Sequence, residues 1–223
     1  MTIEQAYEFK RVLPFVAPTG IAAADLKRSL GAALGCSIVC DEFTNPIALA
    51  TAGLQAATAS QVADQTVLKA ALLAPGLAEL AARPRNVTFT VAGVTAAEAP
   101  TSADIVGLDI DGNALLETVA ITPAAATYSG VKAFADITSI TKKGGTGTGA
   151  TVAIGFGKTF GLSNTIKDRA GRRAVLQEVA SGSVVTNGVF ATPTTSPPYG
   201  SYTPNANPDG SADFAVTYEC MLK

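Results

Sequence analysis

Apolar and polar residues alternate most cleanly over Asn86–Gly93, where Val87, Phe89 and Val91 fall on one side and Thr88 and Thr90 on the other. A period of two marks a half-buried strand. Ala103–Ile110 and Ala114–Ile121 flank Asp111-Gly112-Asn113, a tight-turn sequence, so this stretch predicts a β-hairpin. Val131–Thr141 predicts one long strand, with Val131, Ala133, Ala135, Ile137 and Ser139 on one face and Lys132, Phe134, Asp136, Thr138 and Ile140 on the other. Lys142–Gly149 (KKGGTGTG) reads as a flexible loop, after which Thr151–Phe156 resumes the strand pattern. At the far end Phe214, Val216, Tyr218 and Cys220 alternate within Ala212–Met221, predicting a last strand that returns to the sheet. The Pro-rich, polar stretch 192–210 is expected to be a long ordered loop anchored by Tyr199 and Tyr202.

The first part of the chain has a different character. Thr2 can cap a first helix that Pro14 and Pro18 end, and Ile21, Leu26, Leu30 and Leu34 make a ragged helical face. Cys36–Cys40 is short and β-prone. Residues 1–45 therefore read as a partly helical N-terminal arm, and 46–223 as the body. Within the body, 46–85 is an ambiguous lead-in: its alanines favour helix, Gly53, Pro75 and Gly76 interrupt any long one, and Thr66–Ala70 suits a strand. The expected fold is mainly β, an antiparallel β-sandwich or jelly-roll-like body with many short strands and turn signals between them.

Composition narrows the chemistry. The 223 residues include no His and no Trp. A Ser–His–Asp triad, a Cys–His dyad and the usual histidine metal sites are thereby excluded. A net charge of −2 argues against a broad basic face for nucleic acid. Charged residues make up 15% and hydrophobic ones 48%, which argues against a disordered chain. Glu4 and Glu8 stand where a signal peptide would be basic, and no apolar run reaches the roughly 18 residues of a membrane span. Synthesis and folding in a cytoplasm are expected, with no membrane partner. Cys36, Cys40 and Cys220 lack the second pair of a four-cysteine zinc site and are expected to be reduced thiols.

The remaining motifs fail on spacing. Gly157-Lys158-Thr159 ends like a phosphate loop, but the first required glycine falls on Val152, and no helix follows the lysine. Gly145, Gly147 and Gly149 do not complete a dinucleotide fingerprint. Asp109–Asn113 echoes a calcium loop, yet Gly112 comes too early and the twelfth position is Ala120 rather than Glu. Asp104, Asp109, Asp111 and Glu117 cluster near one hairpin without spacing that pairs them for acid–base work. Lys158, Lys167, Arg169, Arg172 and Arg173 form a basic stretch with no interleaved aromatics, which reads as a solvated or protein-contact patch. No catalytic, cofactor-binding or metal-binding residue is assigned, and an enzyme is not expected.

The order of the β segments carries a resemblance. Arg83–Thr88, IVGLDIDGNALLETV (105–119), VKAFADITSI (131–140), GTGTGATVAIGFG (145–157) and PPYGSYTPNANPDGSADFAVTYE (197–219) resemble virion structural proteins of tailed bacteriophages, most of all capsid decoration or cement proteins. The resemblance spans 83–222. It implies a protein on the capsid exterior that stabilises the assembled shell, with the major capsid protein and further copies of itself as partners, no cofactor and no nucleic acid. A tail or fibre component and a carbohydrate-binding β-sandwich are the alternatives, the latter resting on exposed Tyr199 and Tyr202.

Overall fold

The structure is a computed structural model that describes residues 37–93, 95–163, 168–169, 172–173, 175–191 and 200–220. The helices expected before residue 36 lie outside the described residues, as do Cys36, Lys167 and Tyr199. The chain is mainly β, and its antiparallel sheets pack on one another as the alternation predicts.

The described chain opens with β1 (Ser37–Phe43), β2 (Ala50–Ala59), β3 (Gln65–Leu68) and a 3-10 turn at Lys69–Ala71. Helix α1 (Ala74–Ala82) leads into β4 (Arg85–Ala92), the hairpin β5 (Ser102–Leu108) and β6 (Ala114–Ala120), then β7 (Ala126–Phe134) and β8 (Asp136–Lys142). The longest strand is β9 (Thr151–Gly161), followed by the two-residue strands β10 (Asp168–Arg169) and β11 (Arg172–Arg173). β12 (Val175–Ala180), β13 (Ser183–Val185), β14 (Val189–Ala191), β15 (Ser201–Thr203) and β16 (Phe214–Cys220) complete it.

The described strands form three larger sheets and the two-stranded β10-β11 pair. The central sheet has the order β14-β15-β9-β4-β7, with β2 also on β9. Facing it is a four-stranded sheet, β3-β8-β5-β6. Leu54, Phe89, Val91, Ile105, Ile140, Ile154 and Phe156 are among the side chains buried in the larger core that these two sheets enclose. The terminal sheet, β1-β16-β12-β13, closes a second core of Phe43, Phe160, Leu162, Phe190, Tyr202, Phe214, Val216 and Tyr218. β9 belongs to both cores. Its first half carries Val152, Ile154 and Phe156 into the larger one, and its end carries Phe160 into the smaller.

The ambiguous lead-in resolves into strand, turn and helix. β2 is alanine-rich, yet it pairs with β9 through an irregular register, and Leu54 is its buried residue. Pairing thus overrides the helix propensity of alanine. Pro75 sits in the first turn of α1, where a missing N–H costs nothing. Gly76 lets the helix close on β2, because a Cβ there would fall 2.1 Å from the Gly53 carbonyl oxygen.

Val131–Thr141 is not one strand. Phe134 and Ile137 are both fully buried, three residues apart, which a straight strand with alternating faces does not allow. The chain instead crosses from the central sheet to the facing one at Ala135, whose N–H donates to the Leu108 carbonyl at 2.9 Å. Residues 37–43, at the end of the expected arm, pair along their whole length with β16, Ser37 opposite Cys220 and Phe43 opposite Phe214.

Candidate functional site

The outer face of the β3-β8-β5-β6 sheet exposes a row of aliphatic side chains. The register aligns Leu68, Ser139, Val106 and Leu116 in one row across all its strands. Leu68 and Leu116 are 62% and 61% exposed, and Val106 is exposed between them. The neighbouring row is Thr66, Thr141, Asp104 and Thr118. Thr66 and Thr141 share a hydroxyl hydrogen bond of 3.0 Å, and Thr118 donates to Asp104 at 2.7 Å. Lys143 bridges Asp104 and Asp64 at 3.1 and 3.2 Å and sits above its usual range because of them. Hydrogen bonding from Thr118 and from the Gly144 N–H, respectively, with Lys143 adding to both, holds Asp104 and Asp64 below theirs. Lys143 is thus shared by two carboxylates, beside which the rest of the two rows is threonine, serine and aliphatic.

The β6 edge of this sheet is covered from within. The Glu117 carboxylate accepts the Val131 N–H at 2.7 Å and the Lys132 N–H at 3.2 Å, while Lys132 Nζ donates to the Leu116 carbonyl at 2.7 Å. Glu117 and Lys132 thereby join β6 to the edge of β7 and deny both to a stray strand. Burial pushes Glu117 above the ordinary carboxylate range, against the pull of those amides.

The glycine-rich loop after β8 is pinned rather than free. Gly149 N–H donates to Glu98 Oε2 at 2.6 Å, Gly144 N–H to Asp64 at 2.8 Å and Gly145 N–H to the Gln61 carbonyl at 2.7 Å. A Cβ on Gly145 would lie 2.1 Å from the Glu98 carbonyl oxygen, and one on Gly149 1.8 Å from Thr95 Oγ1. These glycines admit close contact. They do not cradle a phosphate, since Gly157-Lys158-Thr159 lies inside β9.

Several buried polar groups are hydrogen-bonded within the fold, although Gln55 Oε1, Arg85 Nη2 and Glu178 Oε1 have no partner. Arg85 is fully buried and donates to Glu79 Oε1 at 3.1 Å, the Gly157 carbonyl at 2.7 Å and the Ile47 carbonyl at 2.8 Å. Burial lowers its affinity for the proton, and Glu79 partly restores it. Lys142, also buried, donates to Thr58 Oγ1 at 2.7 Å and is lowered by desolvation. Asp41 accepts Tyr218 Oη and the Ser163 N–H, each at 2.8 Å. Glu178 accepts the Tyr202 hydroxyl and the Gly188 N–H, and burial together with Glu178 raises the Tyr202 phenol well above its usual range.

The candidates read from sequence separate accordingly. Asp109 is buried and accepts the Asp111 and Asn113 N–H groups at 2.9 and 2.8 Å, the geometry of a hairpin turn. Asp104 and Glu117 lie on the outer and inner faces of the same hairpin and do not converge. Tyr202, offered for an exposed glycan platform, is 2% exposed and packs against Phe190, so it cannot stack on a sugar. Cys40 is a free, half-buried thiol. Arg169 and Arg172 are backbone register partners in the β10–β11 pair. The buried Arg85–Glu79 pair was not singled out from sequence, because Arg85 stands beside Arg83 in a turn-like Arg-Pro-Arg and carries no apolar signature.

Among the described residues no group of three or more His, Cys, Asp or Glu side chains is placed to hold a metal ion. No described helix is long and apolar enough to cross a membrane. No family model, curated protein or solved structure matches the chain.

Proposed function

We propose that this protein is a structural component of a tailed-phage virion, a cement or decoration protein that binds and stabilises the assembled capsid shell. The observation that carries the reading is the outer face of the β3-β8-β5-β6 sheet, with Leu68, Val106 and Leu116 exposed in one row beside a threonine row. A face of exposed aliphatic side chains beside threonines suits packing against another protein's surface, where apolar contacts form the centre and polar groups the rim. The ordered series of segments between 83 and 222 that resembles such virion proteins supports the same reading. On this view the partners are the major capsid protein and further copies of the chain on the capsid exterior. Repetition on a lattice multiplies a modest single contact into stable attachment.

The test is copy number in purified particles, measured by mass spectrometry against the major capsid protein. A simple ratio to the capsid subunit is expected. A few copies per particle would move the protein to the tail or a vertex, and absence from particles would overturn the virion reading.

A further inference from the structure

The connection between β13 and β14 holds Asn187-Gly188, and the fold surrounds that pair with the groups that asparagine self-modification needs. Asn187 is exposed. Its Oδ1 accepts the Glu178 N–H at 2.9 Å. That bond draws electron density from Cγ and stabilises negative charge on the oxygen. The Gly188 N–H donates to Glu178 Oε2 at 2.7 Å and to Tyr202 Oη at 2.6 Å. Glu178 is 1% exposed, and its Oε1 is buried with no hydrogen-bond partner. The oxygen that meets the Gly188 proton is Oε2, which also accepts the Tyr202 hydroxyl and, at 3.4 Å, the Asn205 N–H. Gly188 packs closely on β15, since a Cβ on it would fall 2.0 Å from the Thr203 carbonyl oxygen.

We propose that Asn187-Gly188 is a self-modifying site at which Glu178 acts as general base and the chain closes to a succinimide that water opens to aspartate or isoaspartate. The Gly188 nitrogen gives its proton to the Glu178 carboxylate and attacks Asn187 Cγ. The Cγ–Nδ2 bond then breaks, and the side-chain nitrogen leaves as ammonia with the proton returned by Glu178. Water subsequently adds to either ring carbonyl. Nothing is oxidised or reduced, and water is the only co-reactant. Exposure of Asn187 lets ammonia leave and water enter, while the buried carboxylate meets the amide at hydrogen-bond distance. The isoaspartate product inserts a methylene into the backbone at the crossing from the terminal sheet to the central one.

The full-length protein is incubated at neutral pH, native and in denaturant, and the peptide spanning Asn187 is followed by mass spectrometry for ammonia loss and for isoaspartate. The native chain is expected to react faster than the denatured chain, and Glu178→Gln to slow the native reaction by about a hundredfold, the lower range of general-base catalysis. Asn187→Gln should abolish the product. A native rate below the denatured rate would overturn the proposal, because the same hydrogen bonds would then be shielding the amide. That comparison needs no variant and decides the matter even if Glu178→Gln does not fold.

Discussion

The Arg85 guanidinium carbon lies 5.2 Å from the centroid of Phe160 and 4.8 Å from that of Phe156. Phe156 belongs to the larger core and Phe160 to the smaller, so one cation sits at the joint between them. Phe160 in turn stacks on Phe43 of β1 at 4.4 Å. The terminal strand is thus tied to the middle of the protein through a ring, a guanidinium and the Glu79 carboxylate of α1.

Removing Glu79 takes the carboxylate from a fully buried Arg85, whereas removing Arg85 leaves Glu79 paired with Arg83 at 2.8 Å. Glu79→Leu is expected to cost about 3–5 kcal/mol in urea unfolding and Arg85→Met less, whereas the two combined should recover most of the loss. The double-mutant cycle measures this. Simple addition of the two losses would show that the pair does not act as a unit.

Close contact, rather than mobility, explains the glycines after β8. Gly145→Ala should destabilise by about 1–3 kcal/mol through overpacking against the Glu98 backbone. Glu98→Ala should free the Gly149 N–H and raise hydrogen exchange across 143–150 with a smaller loss. Gly112→Ala is the comparison, because nothing lies within 4 Å of its Cβ position and its φ of +80° makes the cost one of backbone strain alone. Equal exchange in the Gly145 variant and the parent would show that the loop is not pinned.

These glycines also mark what could be read from the chain without coordinates. Val87, Phe89 and Val91, the Asp111-Gly112-Asn113 turn and the alternation of Phe214, Val216 and Tyr218 were legible because a period of two is a local property. The crossing at Ala135 was not, since it depends on two sheets lying where Phe134 and Ile137 can both turn inward. β2 was hidden because alanine shows no face until a partner strand supplies one. The outer row of Leu68, Val106 and Leu116 was hidden for the same reason: three residues far apart in sequence share a face only through strand register. The Gly-rich loop invited a reading of flexibility because sequence shows the missing side chains and not the Glu98 carboxylate that fills their place.

Glu117 gives the stability a pH dependence with a definite sign. Its carboxyl is raised by burial in the folded state. The folded chain therefore binds more protons than the unfolded one between the ordinary carboxylate value and the raised value. Stability from this group is fully present below the unfolded value, about 4.3, and is lost as pH rises through the folded one. Glu117→Gln keeps an oxygen for the Val131 and Lys132 amides but carries no charge. Its unfolding free energy relative to the parent should therefore rise as pH increases from about 4 through the raised folded value. Asp64 and Asp104, which are lowered, act in the opposite direction in both chains and cancel in that comparison. Parallel urea-midpoint curves for the two proteins would rule the effect out.

Leu116 separates folding from assembly. It is exposed on the outer face of β6, and its side chain contributes nothing to the core that Leu115 and Val119 enter from the other face. Leu116→Thr is expected to leave the unfolding free energy within about 0.5 kcal/mol of the parent, since it changes a surface position to a strand-favouring residue. Leu116→Arg places a charge at the β6 end of the aliphatic row. If this face meets the capsid, the arginine must be desolvated or expelled on binding, and occupancy on particles should fall at least about tenfold, the scale of a contact at the centre of an interface. Val106→Asp should do the same from the next strand, while Thr51→Arg on β2, exposed but outside this sheet, should not. The measurement is the amount of each variant retained on purified particles, read beside its unfolding midpoint. Full retention of both charged variants would remove this face from the binding surface even if the protein proved to be abundant in the virion.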